Sequence, residues 1–473
     1  MKQSILLIML AVICAGTVFS QKVIAQGAHA PAAKGKFLIM SDIHFNPFCY
    51  PTILNQLSGT DYTGWQALFE SAGDNSYGVT GEDSYYQLFK SGLRAMQQQN
   101  SHPDMIVING DFLCHNFNST YNNYFVAYAN QGQDSLRSFI RKTTSFVLSL
   151  IEQYFPGTPV LPVLGNNDDY CGDYNIQAAG SFLHFFAEQS EPMLRNFKHS
   201  DFISTFSTGG YYSVSMPWDS SEVFIGLNTI FFSKGYEQYD ACTPTNVTNP
   251  GADELNWLRS TLADCAAKGK KVWMSYHIPP GIDVFSSTHP SVPNAPCNTV
   301  TSGMWKQGYN DTFLSLVSQY SGIIMAEFAG HTHMDDFRLL CKDSIPISFI
   351  HITPAVSPKF GNNPAFQEMT WDAHKMQLNN CVTYMFRGIE SPGENNWVQE
   401  YDYAKKYGVK MLDAKSLWGV WKKIGSMPSV RNNYLKYYPV SARGQSPYHW
   451  HAYWCGIRYL TLQGFTNCHC NQK

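Results

Sequence analysis

The sequence predicts an α/β protein built in layers, with a smaller helical segment towards its C-terminal end. Three observations carry this. Short apolar runs alternate with helical periodicities through the first 390 residues. Most of these runs end in clusters of Asp, Asn, Gly and His. Beyond the stretch ESPGENN the texture changes: Leu417, Trp421 and Ile424 recur at helical spacing, with no strand pattern before the end.

Taken in order, KFLIMSD reads as a strand ending in polar residues, and EDSYYQLFKSGLRAMQQQ as a helix. MIVINGD is the next strand. From Leu136, apolar residues recur at Phe139, Ile140, Val147, Leu150, Ile151 and Tyr154, one face of a long helix. TPVLPVLGNND follows as a strand running into a polar loop. GGYYSVSM and EVFIGLNTIFF read as paired strands, and ADELNWLRSTLADCAAKGKK as a helix leading into the strand VWMSYH. GIIMAEFAGHTH and ISFIHITP close the region. The expected organisation is a signal at 1–25, a catalytic domain at 36–390 and a helical domain at 391–473.

At 473 residues the chain is long enough to bury a full core. Hydrophobic content of 44% and charged content of 15% exclude a disordered chain. A net charge of −3 with no basic stripe argues against a nucleic-acid polymer as partner. At the N-terminus a lysine precedes an apolar stretch over residues 5–19, then small and polar residues. That is a secretory signal, cleaved after Ser20 or Ala25 and too short to span a bilayer. The mature protein is therefore expected to be secreted or periplasmic, without a transmembrane segment. Of twelve cysteines one lies in the signal, and the other eleven are expected to be mostly disulfide-bonded. Cys455 pairs with either Cys468 or Cys470 as a C-terminal staple. Sequons at Asn118, Asn246 and Asn310 matter only in a eukaryotic host.

The strand ends carry the chemistry. MSDIH supplies Asp42 and His44, INGDFLCH supplies Asp111 and His115, and VLGNND supplies Asn166. MSYHIPPG supplies His277, and FAGHTH supplies His331 and His333. Ligands bind open α/β sheets at that edge. Residues two apart in an extended segment point the same way, so each Asp-x-His or His-x-His pair forms one side of a cage. Any one piece reads as a solvated loop; five in order imply a pair of metal ions. Imidazole and carboxylate without thiolate suit zinc, iron or manganese. Asp111 is the natural bridge, and the Asn166 amide adds a ligand without adding charge.

The order D-x-H, G-D, G-N, H, G-H-x-H resembles the calcineurin-like metallophosphoesterase family. GDFLCH, SYHIPPG, GHTHMDDF and the tail motifs WVQEYDYAKKYG, YLKYY and HAYWCGIRYLTLQGFTNC resemble its acid sphingomyelinase-like phosphodiesterases. The likeness runs from about residue 36 to 470. It implies the metallophosphatase fold, a layered β-sandwich flanked by helices, with a small helical C-terminal domain. It also implies that Asp42, His44 and His333 bind one metal and Asn166, His277 and His331 the other. Asp111 bridges, and both ions are zinc. No saposin-like domain is expected ahead of it. One position departs from the family: Asn167 stands where a histidine commonly protonates the leaving group. His115, four residues after Asp111, is expected to take over that proton. Purple acid phosphatases carry a tyrosine at the position of Cys114, which is expected to be a buried thiol or disulfide partner.

The function implied is hydrolysis of a phosphodiester, a sphingomyelin-like headgroup ester or a nucleotide, by metal-bound hydroxide. The alternative is a non-catalytic metalloprotein that binds a phosphorylated ligand. HWHAYW, around Trp450, is either helix core or a patch for transient membrane contact.

Overall fold

The computed structural model describes residues 34–125, 133–237, 247–289, 297–389, 396–442 and 449–471. The signal over 1–25, the Asn246 sequon and the boundary at 390/391 lie outside them. Each apolar run that ends in a polar cluster folds as a strand. The strands are β1 (Gly35–Met40), β2 (Ile106–Ile108), β3 (Val160–Pro162), β4 (Tyr212–Ser215), β5 (Glu222–Gly226) and β6 (Lys271–Ser275). They continue as β7 (Ile324–Ala329), β8 (Asp336–Lys342), β9 (Ile345–Ile352), β10 (Ala365–Asp372), β11 (Gln377–Phe386) and β12 (Trp397–Asp402).

Two six-stranded sheets result, in the orders β12-β11-β10-β1-β2-β3 and β4-β5-β6-β7-β9-β8. β1, β2 and β3 run parallel, as do β5, β6, β7 and β9. The sheets meet through large side chains: Phe37 of β1 packs on Trp273 of β6 and Phe328 of β7, and Trp273 packs on Trp371 of β10. Strands buried on both faces need continuous apolar sequence, hence runs such as FLIM and IVI. Helix Gln133–Tyr154 packs on helix Tyr86–Gln99 and on the segment after β1, with Phe139 against Phe48 and Trp65, and Phe146 against Phe45.

The parallel strands of both sheets end at the same rim. Asn109, just past β2, ties the rim together. Its amide donates to Ser275 Oγ at 2.8 Å and accepts from Thr353 Oγ1 at 2.9 Å, so one side chain links β2 to the ends of β6 and β9. Two glycines let the neighbouring loops cross here. A Cβ on Gly110 (φ +89°) would lie 2.5 Å from the Gly165 nitrogen, and one on Gly165 would lie 2.1 Å from Asp111 Oδ1. Only glycine fits at that crossing, which explains the G-D and G-N pairs.

Three expectations are corrected. EVFIGLNTIFF is not one strand: β5 stops at Gly226 and Thr229–Phe232 coil into a 3₁₀ turn, with the Asn228 amide turned to Gly209 O. A strand does recur after residue 391, because β12 hydrogen-bonds β11 and completes the first sheet. The Asp42/His44 and His331/His333 pairs are not extended either, as described below. Past β12, helices Ala414–Ser426 and Trp450–Arg458 pack against the β8–β9 pair, Pro428–Tyr437 packs on the first of them and Leu462–His469 on the second. Of HWHAYW, Ala452 and Tyr453 are buried, while Trp454 is half-buried and stacks on Trp421 at 4.6 Å. Cys455 pairs with Cys468, and Cys470 pairs instead with Cys297. Cys114 is a free, buried thiol. The Asn118 and Asn310 amides donate to main-chain carbonyls of Tyr170 and Leu460.

Candidate metal centre

The rim gathers all seven side chains that the strand ends nominate. Asp42 and His44 follow β1, Asp111 follows β2, Asn166 follows β3, His277 follows β6, and His331 and His333 follow β7. Five of these seven have positive φ: Asp42 (50°), His44 (43°), Asp111 (57°), His331 (71°) and His333 (63°). L-residues adopt that region only when the surroundings impose it, and such strain collects at functional sites. The left-handed kinks split the His331/His333 pair and leave Asp42 and His44 in one group. His333 Nε2 lies 3.2 Å from His44 Nε2, while His331 Nδ1 lies 2.9 Å from Asn166 Oδ1.

Two groups of side chains result, with Asp111 between them. On one side, His44 and His333 stand with Asp42, whose Oδ1 is 3.4 Å from His333 Nε2. On the other, His277 Nε2 is 3.0 Å from Asn166 Oδ1. Asp111 Oδ2 lies 3.3 Å from His44 Nε2 and 3.1 Å from His277 Nε2. The ring orientations are set from behind. His44 Nδ1 donates to Leu113 O at 2.9 Å, and His277 Nδ1 donates to Asn109 O at 2.6 Å, so both present Nε2 inwards. Asn166 donates Nδ2 to Asp173 Oδ1 at 2.6 Å, which turns its carbonyl oxygen towards the imidazoles.

The electrostatics suit cations. Burial opposes charge on Asp42 and Asp111, yet the facing imidazoles hold both carboxyls below the usual carboxylate range. Burial also opposes charge on His44 and His277, but Asp111 and Asp42 push them up to about 10 and about 9. Burial, with His277 beside one and His44 beside the other, pushes His331 down to about 4 and His333 down to about 3. Asp42 Oδ1 is buried without a hydrogen-bond partner, although three imidazole Nε2 atoms stand 3.4, 3.8 and 3.9 Å away. A carboxylate oxygen ringed by nitrogens beyond hydrogen-bond length fits a shared cation, and so does the donor set.

With that geometry in view, the comparisons decide the family. The calcineurin-like phosphoesterase model matches residues 35–335, and the acid sphingomyelin phosphodiesterase C-terminal region matches residues 345–472. The chain belongs to the calcineurin-like phosphoesterase family. This phosphoesterase is 26% identical to human acid sphingomyelinase-like phosphodiesterase 3b, over 94% of this chain and 92% of that one. It is 27% identical to sphingomyelinase phosphodiesterase C of Dictyostelium discoideum, over 93% of each. It is also 27% identical to a human cyclic GMP-AMP phosphodiesterase, over 88% of this chain and 84% of that one. Among solved structures it is similar to a dimetal phosphatase from Danio rerio, with a TM-score of 0.41 and 14% identity over 74% of this chain and 95% of that one. The fold is the two-sheet, helix-flanked α/β architecture expected of the family.

His115 and Asn167 sit beside the phosphoesterase's metal candidates. The His115 ring stacks on His44 with centroids 4.0 Å apart, and the exposed Phe360 meets it edge-on at 5.5 Å. Asn167 turns inwards: its main-chain N–H donates to Asp111 Oδ1 at 2.8 Å and its side-chain amide to Oδ2 at 3.0 Å. Sequence reasoning missed four supporting residues. Asp83 contacts His115, and Asp173 orients Asn166. Tyr174 OH lies 3.3 Å from His331 Nε2. Asp168 accepts from the backbone N–H groups of Phe112, Leu113 and Gly165 at 2.8, 3.1 and 2.8 Å. The repeated Asp in GNNDDY was the only signal for any of them.

Proposed function

We propose that this chain is an exported phosphodiesterase acting through a pair of divalent ions. One observation carries the reading: Asp111 Oδ2 lies within 3.3 Å of imidazoles from both groups, the position of a bridging ligand. Asp42, His44 and His333 would hold one ion, Asn166, His277 and His331 the other, and Asp111 both. Zinc fits a donor set of imidazole, carboxylate and amide. Bound there, the pair neutralises developing charge on the phosphoryl group and lowers the pKa of water.

The chain's own residues do the rest. Leu113 O and Asn109 O fix two imidazoles, and Asp173 fixes the Asn166 amide. Asn167 cannot donate a proton to the leaving group; it holds both oxygens of Asp111 instead. His115, on the rim beside His44, is the donor to the leaving oxygen. Phe360, about half exposed, meets His115 and His333 edge-on at the rim. Substrates of the named relatives point to a lipid headgroup ester or a nucleotide. Export rests on the signal at 1–25 and agrees with the disulfides. No described helix is long and apolar enough to cross a membrane. The catalytic unit is taken to run from residue 36 through β12, which completes the first sheet, with the helices past β12 as its companion.

Non-catalytic phosphate binding is not favoured, because the relatives matched over most of the chain are named as phosphodiesterases. Purified protein is expected to contain about two divalent ions per chain. It should cleave bis-nitrophenyl phosphate in preference to the monoester and lose turnover on chelation. Protein free of metal, or metal-loaded protein without diester turnover, would sink the proposal.

A further inference from the structure

Asp83 belongs to none of the motifs, yet it grips His115 at two points. It sits just ahead of helix Tyr86–Gln99 and is 4% exposed. Its Oδ2 accepts from the His115 main-chain N–H at 2.9 Å, and its Oδ1 pairs with His115 Nδ1 at 2.9 Å. Ser357 Oγ donates to the same Oδ1 at 3.3 Å. A carboxylate only accepts, so Nδ1 carries a proton in this pair. The ring is caught flat between His44 on one face and the edge of Phe360. The side chain is 20% exposed, and one of its ring nitrogens lies within 4.8 Å of ring nitrogens of His44 and His333.

We propose that Asp83 is a positioning residue for phosphodiester cleavage. It fixes the His115 rotamer and keeps a proton on Nδ1, so that exchange with the substrate takes place at Nε2. The inference rests on the reading of His115 as the leaving-group donor. In the step it serves, water forms the new P–O bond and the ester P–O bond breaks with its electron pair on the leaving oxygen. That oxygen takes the proton from Nε2, and the imidazole regains one from the attacking water. Asp83 is not among the seven metal candidates, and its side chain contacts His115 and Ser357. Its carboxylate supplies the outer partner that orients functional imidazoles generally.

The test compares Asp83→Asn, His115→Ala and the double variant on aryl phosphodiesters whose leaving groups rise in pKa. A positioned acid is worth about 10²–10⁴ in rate when the leaving group is poor and little when it is good. Asp83→Asn should therefore lose under about 3-fold with nitrophenolate and about 100-fold with the poorest leaver. His115→Ala should show the same slope, and adding Asp83→Asn to it should cost no more. Metal content should stay at the wild-type level. Additive losses, a loss uniform along the series, or departure of metal from Asp83→Asn would each overturn the proposal. Should that variant fail to fold, ¹⁵N-histidine spectra of the wild-type chain decide. A neutral His115 with its proton on Nε2 rather than Nδ1 overturns it. If metal-loaded wild type cleaves no diester, the phosphodiesterase reading falls first, and Asp83 with it; a cleaving wild type with a silent Asp83→Asn removes Asp83 alone.

Discussion

Within the loop GNNDDY each polar side chain has a separate task. Asn166 faces the imidazoles, Asn167 clamps Asp111, and Asp168 turns back to hold the backbone of the neighbouring loop. Asp169 accepts from the Cys171 N–H and is pushed up to about 7 by burial. Asp168 matters most for stability, because it satisfies three backbone donors in a dry interior. Asp168→Ala should cost about 3–5 kcal/mol, since each stranded buried N–H carries a desolvation cost. Asp168→Asn keeps the oxygen facing Phe112 and Leu113 but turns an NH₂ on Gly165 N–H. It should cost about 1–2 kcal/mol. Denaturant titration of the two variants checks the order; equal losses would remove Asp168 from the clamp. The sequence marked the loop as polar but not which atom goes where, because that depends on a loop 56 residues away in the chain.

At the scale of elements, β7 carries two of the metal candidates at its end and a buried acid in its middle. Glu327 accepts from Tyr276 OH at 2.8 Å and Ser348 Oγ at 2.6 Å. Burial outweighs these two bonds and pushes its carboxyl from 4.5 up to about 7. The folded state thus binds this proton more tightly than the unfolded chain. Its contribution is full below about 4.5 and is lost as the pH rises through about 7. The fall is worth about 3 kcal/mol at most. Glu327→Gln should remove it, giving a flatter dependence of thermal stability on pH between 4.5 and 7. An unchanged slope in that window would show that Glu327 is not the group responsible. The strands that end in metal candidates were legible because each is a short apolar run closed by chemistry-bearing residues. β8, β10, β11 and β12 were not. They mix buried and half-exposed positions, and β10, β11 and β12 form an antiparallel meander beside β1 that no local pattern announces.

Across the whole molecule, the C-terminal part is bound to the sheets rather than appended to them. Tyr434 OH donates to Asp336 Oδ1 at 3.0 Å, and Asp336 pairs with Arg338 of the same strand. Asp335 accepts from Thr383, Tyr401 and Gln367, joining β8 to the first sheet beside His333. The Cys297–Cys470 bridge spans 173 residues and ties the last helix to the segment after β6. Chain-entropy arguments value a closure of that length at about 5 kcal/mol. The double variant Cys297→Ser/Cys470→Ser should therefore unfold at lower denaturant, with a loss of about 3–5 kcal/mol and the metal centre intact in the folded protein. A midpoint unchanged from wild type would mean that packing alone holds the C-terminal helices. Spacing narrowed the Cys455 partner to two, and only the folded chain chose Cys468, because the other thiol is drawn to Cys297.

The sequence by itself determined the layered α/β architecture and the identity of the seven convergent side chains. Parallel strands must be continuously apolar, and their ends must leave the sheet as polar loops, so both features are written in local order. The family resemblance implied how those side chains divide, and the tertiary structure supplied the backbone that divides them. Left-handed backbone at His331 and His333 sends two neighbours to opposite groups, against the alternation of an extended chain. It also decided the supporting partners. Asp83 reaches His115 from 32 residues away, and Asn109 joins both sheets beneath the site. Such contacts arise from where loops meet in space, and no periodicity along the chain encodes them.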